Sequence, residues 1–343
     1  MSALPDDARF VAAFALALGV TLAATPLARR LAVRIGFYDH PTGYKKHGRA
    51  TPYLGGFAVV AGFLVGAGAA TDDLPHLLPL LGTALGLHAL GTLDDRRVVA
   101  VAPRLAGQVV AAVVLWATGW GWAVFEAGAA DLALTTVWVL GVVNAFNLMD
   151  NIDGAAAGVA GVSALGAGTL ALVQSEPTAA VAALAIAGTC AGFLPYNLAR
   201  PSRIFLGDGG STPIGVVVAA SIMAISNPEL GWVTPIAAAP LVGVVIFDTA
   251  LVLVARRRRG AKLFRGDRNH ITHRLLARLG SERMVVLLLC AAQGLLCALA
   301  IVFNLADQAV ALEGAGACIV AMLIALALLE GPRPAPLARG ESA

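Results

Sequence analysis

Charge is scarce in this sequence. Only 13% of its 343 residues are Asp, Glu, Lys or Arg, about half the share of a soluble domain. Hydrophobic residues make up 58%, and the mean hydropathy is +0.80. That balance excludes an ordinary water-soluble enzyme and reads as an integral membrane protein. Close cysteine pairs are also missing. Cys190, Cys290, Cys297 and Cys318 lie far apart in apolar runs, which excludes a zinc or redox motif and leaves buried packing. The first ten residues carry Asp6 and Asp7 where a cleaved leader would be basic, so the first apolar run reads as a retained span. No long linker, low-complexity segment or internal repeat divides the chain. A single transmembrane domain over 1–343 is expected.

A bilayer core takes about 20 apolar residues of helix. Such runs fall at about 10–28, 54–71, 76–93, 104–119, 132–149, 155–174, 178–196, 211–226, 231–254, 284–305 and 309–329. The expected fold is therefore all-α, a polytopic helical bundle of about 11 transmembrane helices. With that count, every Lys and Arg except Arg9 falls on one side: Arg29–Arg49, Arg96–Arg104, Arg200–Arg203, Arg256–Arg283 and the C-terminal tail. The opposite loops hold Asp72, Asp73, Glu126, Asp131, Glu176 and Glu229. Cationic loops stay cytoplasmic, so the N-terminus is expected outside and the C-terminus inside. The run Arg256–Arg259 reads as a topological anchor touching anionic lipid, and no nucleic-acid partner is expected.

Polar side chains at membrane helix ends are costly and usually functional, and here they gather on the cytoplasmic side. Asp94 and Asp95 end the third run. Adjacent carboxylates there can hold a cation, position a phosphate or act as a base. In N-A-F-N-L-M-D-N-I-D-G (Asn144 to Gly154), Asn144 and Asn147 share a helical face, and Asp150 and Asp153 repeat the spacing. Oxygen donors of this kind favour Mg²⁺ or Mn²⁺ over zinc. F-L-G-D-G-G-S (Phe205 to Ser211) places Asp208 between glycines before a helix start, which suits a phosphate. D-R-N-H-I-T-H-R (Asp267 to Arg274) lies in the longest basic loop, where Arg268 and Arg274 can grip phosphate oxygens and His270 and His273 add donors. Asn197 and Asp248 lie on the same side, and the first inner loop adds Lys45, Lys46 and His47. His76 and His88 read as structural. A transporter for an anionic nucleotide-sugar would instead place such groups near the midplane, often in inverted repeats.

In this order the motifs resemble the polyprenyl-phosphate N-acetylhexosamine-1-phosphate transferases, over about residues 36–280. D-H-P-T-G-Y-K-K-H-G-R-A-T-P-Y-L-G-G matches at Asp39, Pro41, Lys45, His47, Pro52, Gly55 and Gly56, with Tyr44 where arginine is usual. G-T-L-D-D supplies the aspartate pair and Gln108 a later glutamine, and Arg104 stands where lysine is usual. Asn151 replaces a glycine of the asparagine-aspartate motif, and Thr272 replaces a histidine of the histidine loop.

The resemblance implies transfer of a sugar-1-phosphate from a UDP-sugar to undecaprenyl phosphate, with UMP released, at the cytoplasmic face of a bacterial inner membrane. UDP-N-acetylglucosamine is the leading donor; another UDP-N-acetylhexosamine or UDP-MurNAc-pentapeptide is the alternative. It further implies Mg²⁺, with Mn²⁺ as substitute, held by Asp208 and Asn147. Asp94, Asp95 and Asp208 are the expected catalytic residues. Lys45, His47, Arg104, Asn147, Asp150, Asp153, Asn197, Asp267, Arg268, His270, His273 and Arg274 are expected to bind substrate. Direct displacement and a two-step route through a phospho-aspartyl enzyme both fit these residues. The resemblance also allows a homodimer.

Overall fold

The computed structural model describes residues 6–39, 50–125, 127–260 and 269–330. Helices dominate, as a bilayer requires when every backbone polar group must be satisfied within its own segment. In chain order they are α1 (Asp6–Arg34), α2 (Gly55–Ala70), α3 (Leu74–Arg96), α4 (Val101–Ala117), α5 (Gly128–Met149), α6 (Ala155–Val173), α7 (Pro177–Asn197), α8 (Asp208–Met223), α9 (Thr234–Ala238), α10 (Gly243–Arg259), α11 (Ile271–Leu279), α12 (Glu282–Leu305) and α13 (Gln308–Leu329). Among the described residues, eight helical segments are long and apolar enough to cross a bilayer: α1, α3, α5, α6, α7, the 231–259 segment, α12 and α13. Two shorter apolar helices, α2 and α4, accompany them. The protein is a multi-pass, all-α membrane protein.

Small residues set the packing. Helices in lipid gain little from hydrophobicity and associate by close backbone approach. α6 and α7 are rich in Ala and Gly and are buried along most of their length. A Cβ on Gly188 of α7 would lie 2.2 Å from the Phe14 carbonyl oxygen of α1. Around this centre α2, α3, α5 and α8 pack with α6 and α7 into one core, which holds Phe63, Phe146, Phe193, Trp120 and Trp122.

Two elements depart from the sequence reading. The run expected as one helix over 231–254 is broken into a 3₁₀ turn (Gly231–Val233), α9, a second 3₁₀ turn (Ala239–Val242) and then α10. Pro235 and Pro240 each remove a backbone N–H from the helical ladder. The long basic loop is not wholly irregular either, since α11 forms within it as a short amphipathic helix ended by the left-handed Gly280. Every other apolar run is a helix near its expected bounds.

A short antiparallel pair joins β1 (Tyr38–Asp39) to β2 (Thr51–Pro52) between α1 and α2. The chain after β2 then pairs with the segment before α8. Phe205 N donates to Pro52 O (2.9 Å), and Gly55 and Gly56 donate to Phe205 O and Leu206 O (3.0 Å each). These bonds bring the start of α8 against the start of α2.

Candidate active site

Most of the polar motifs meet where the C-terminal ends of α3, α5 and α7 face the N-terminal ends of α4, α6, α8 and α11. The N-cap position of α8 is Gly207, which has no side chain to satisfy the first amides. Asp95 supplies the cap from α3: its two carboxylate oxygens accept from Asp208 N (2.8 Å) and Gly209 N (3.0 Å). A carboxylate there also meets the positive end of the helix dipole. Gly207 has φ +74°, and a Cβ on it would lie 2.6 Å from an Asp95 oxygen, so glycine is required for this contact.

Successive helical residues point about 100° apart, so Asp94 faces elsewhere. It accepts from Val99 N (2.7 Å) and from Arg104 Nη1 (2.6 Å) at the start of α4. The same guanidinium nitrogen is 3.8 Å from Asp208 Oδ2. From α5, Asn147 Nδ2 donates to Asp208 Oδ1 (2.7 Å) and Ser211 Oγ (3.1 Å). Asn144 is anchored by Gln108 Oε1 (2.6 Å). Asp94, Arg104, Asn147 and Asp208 therefore form one constellation from four helices, and all four line a small cavity with Gln108 and Thr212.

Asp150, just past the end of α5, lies beside the Gly207 amide. Burial, and then the Asp208, Asp153 and Asp95 carboxylates, push its own carboxyl well above the usual range. Tyr53 lies next to Asp95 with its phenol pushed well above the ordinary value, first by burial and then by Asp95, Asp208, Asp150 and Asp39. It stays a neutral hydroxyl that donates to Asp95. Tyr53 stands in the motif that precedes α2, and only the fold brings it to Asp95.

Other expected residues are engaged with the protein itself. Asn197 is buried; its oxygen accepts from Gly154 N (2.7 Å), and its amide donates to Ile204 O (3.1 Å). It holds the left-handed turn that starts α6 and reaches Asp153 at 3.5 Å. Arg274 bonds Asn269 O and Leu329 O (3.0 Å each) and forms an ion pair with Glu330, so it ties α11 to the end of α13. His270 and His273 approach edge to face, with ring centroids 6.3 Å apart. His88 Nδ1 bonds Gly209 O (2.6 Å) and so supports α8. Lys45, His47, Asp267 and Arg268 lie outside the described residues.

Two residues that depart from the family pattern meet one another: Thr272 Oγ1 donates to Asn151 Oδ1. Asp248, which sequence reading grouped with the inner polar residues but gave no role, contacts both His270 and the start of α11. The available signal was a lone carboxylate in a strongly apolar run, which implies a partner.

Among the described residues no cluster of three or more His, Cys, Asp or Glu side chains forms a metal cage. Mg²⁺ does not require one, since it is commonly held by one or two carboxylates, waters and substrate phosphates. Asp208, with Asp94 beside it, offers carboxylate oxygens of that kind, while Asn147 turns its amide nitrogen to Asp208.

The model of glycosyl transferase family 4 matches residues 77–226. A probable undecaprenyl-phosphate N-acetylglucosaminyl 1-phosphate transferase of Bacillus subtilis is 31% identical, over 82% of this chain and 81% of its own. This chain belongs to glycosyl transferase family 4. Two further relatives are similar. A decaprenyl-phosphate N-acetylglucosaminephosphotransferase of Mycobacterium tuberculosis is 31% identical, over 86% of this chain and 83% of its own. An undecaprenyl-phosphate alpha-N-acetylglucosaminyl 1-phosphate transferase of Salmonella typhi is 30% identical, over 78% and 76%. The family 4 match spans α3 to α8 and so includes Asp94, Arg104, Asn147 and Asp208.

Proposed function

We propose that this protein transfers N-acetylglucosamine-1-phosphate from UDP-N-acetylglucosamine to undecaprenyl phosphate, giving undecaprenyl-diphospho-N-acetylglucosamine and UMP. The observation that carries the reading is the convergence of Asp94, Arg104, Asn147 and Asp208 at one end of the helices in a family 4 chain. The names of its relatives supply the donor sugar and the lipid.

In the topology we propose, α2, α4 and α8 cross the bilayer with the eight longer segments, giving eleven spans. The site then faces the cytoplasm of a bacterial inner membrane. The one-sided distribution of Lys and Arg supports that orientation. A nucleotide arrives from water and a lipid phosphate from the bilayer at such an interface.

In the reaction, an oxygen of the lipid phosphate bonds to the sugar-linked phosphorus. The bond from that phosphorus to the bridging oxygen breaks, and its electron pair leaves with UMP. Phosphoryl transfer is governed mainly by positioning and charge neutralisation. Asp208 and Asn147 would hold Mg²⁺, which supplies positive charge to the diphosphate. Arg104 keeps Asp94 and Asp208 together and presents a guanidinium to anionic oxygens. Asp95 fixes the start of α8 and thereby Asp208. The lipid phosphate is already largely ionised at neutral pH, so Asp94 acts here by placing it, held by Val99 N and Arg104.

Purified protein with undecaprenyl phosphate, Mg²⁺ and a panel of UDP-sugars should release UMP with UDP-N-acetylglucosamine. The release should require lipid and metal and be lost in Asp208→Ala. Release with UDP-MurNAc-pentapeptide or another UDP-N-acetylhexosamine alone would transfer the reading to that donor. Substrate flux without UMP would replace it by transport.

A further inference from the structure

Asp248 sits in α10 with 0% of its surface exposed, in a segment otherwise apolar until its closing arginines. A buried carboxylate in such a segment needs partners, and it has two. One oxygen accepts from Ile271 N (2.7 Å), the first amide of α11. The other lies 2.7 Å from His270 Nδ1. His270 is itself 3% exposed, and among the described residues its Nε2 has no hydrogen-bond partner. The pair is next to the chemistry. Two residues after His270, Thr272 bonds Asn151, which adjoins Asp150, and Asp150 lies against the Gly207 amide at the start of α8.

We propose that Asp248 is a positioning residue for the transfer: it fixes His270 through Nδ1, so that Nε2 is the nitrogen left to meet the nucleotide-sugar. This rests on the transferase reading above. A carboxylate accepts but cannot donate. Asp248 therefore requires the proton on Nδ1 and sets both the tautomer and the ring orientation of His270. The same carboxylate caps α11, so the ring and the helix that carries His273 are registered by one side chain. Arg274 fixes the rest of α11 to α13. From His270 to Arg274 the chain is thus braced at both ends.

Asp248→Asn separates the two contacts. Its oxygen can still accept from Ile271 N, so the cap survives. Its NH₂ then faces Nδ1 and forces that nitrogen to be an acceptor, which moves the proton to Nε2. With ¹⁵N-histidine-labelled protein in detergent micelles, His270 Nδ1, assigned by its loss in His270→Gln, should be protonated in the wild type and bare in Asp248→Asn. UMP release should fall at least about tenfold in kcat/KM with the thermal unfolding midpoint close to wild type. In the His270→Gln background the same change should add no further loss. A bare Nδ1 in the wild type overturns the proposal, whether or not the variant folds. So does an Asp248→Asn enzyme within about twofold of wild type, or an equal additional loss without His270. A wild-type protein that releases no UMP but keeps Nδ1 protonated would instead defeat the transferase reading and leave the Asp248–His270 geometry standing.

Discussion

Gly91 offers the sharpest test of how the site is built. It lies on α3 one turn before Asp94, where α3 and α8 nearly touch. A Cβ at this position would lie 2.3 Å from the Asp208 carbonyl oxygen and 2.5 Å from its carbon. Non-bonded atoms settle at roughly 3.5 Å, so Gly91→Ala must drive the start of α8 away by about 1 Å. The obstacle is backbone, with no side chain to swing aside. Helix propensity gains about 1 kcal/mol from Gly→Ala, and overpacking costs about 1–3 kcal/mol, so the net destabilisation is about 0–2 kcal/mol. Catalysis should suffer much more. A displacement of about 1 Å in a positioned group costs about 10²-fold, and here the group is Asp208. Gly86→Ala on the same helix is the control, because nothing lies within 4 Å of a Cβ there. UMP release and thermal unfolding should be measured on both variants in the same micelles. Gly86→Ala should match wild type in rate, and Gly91→Ala should fall about 10²-fold while remaining folded. Equal rates for the two variants would refute the argument that the α3–α8 approach places Asp208.

Arg104→Met removes the cation between Asp94 and Asp208 and should lower kcat/KM about 10- to 100-fold, while Arg104→Lys should retain most activity; steady-state UMP release checks both. Asn147→Ala should raise the Mg²⁺ concentration for half-maximal rate about tenfold or more, and chelation should abolish turnover, as read by Mg²⁺ titration. Asn197→Ala strands Gly154 N and Ile204 O in the interior and should cost about 2–4 kcal/mol, seen as a lower thermal midpoint. Tyr53 holds its proton more tightly in the folded protein than in the unfolded chain. Stability should therefore decline as pH rises past the ordinary phenol value of 10.0, and Tyr53→Phe should flatten that decline in denaturant titrations at stepped pH.

Much of this protein was legible in order along the chain. Apolar runs of bilayer length require helices, because no water is present to satisfy an open backbone. The matching helices and the broken 231–259 segment follow from that rule, with Pro235 and Pro240 as its exceptions. Asp94, Asn147 and Asp208 were also visible, since oxygen-bearing side chains at membrane helix ends are too costly to be accidental.

Side-chain direction was not legible. Asp94 and Asp95 are neighbours in sequence, yet one faces Arg104 and the other caps α8, a helix that starts 113 residues later. Nothing in the sequence said that Asn197 would meet Gly154 and Ile204, or that Arg274 would meet Glu330. Asp248 and His270 are 22 residues apart and meet only because α10 and α11 pack. Composition and spacing record which groups a segment carries, because burial in lipid selects residue types one segment at a time. Which of those groups meet depends on helix rotation and crossing, and small residues far apart in the chain decide those, so only the tertiary structure assigned each carboxylate to a cation, a helix cap or a histidine.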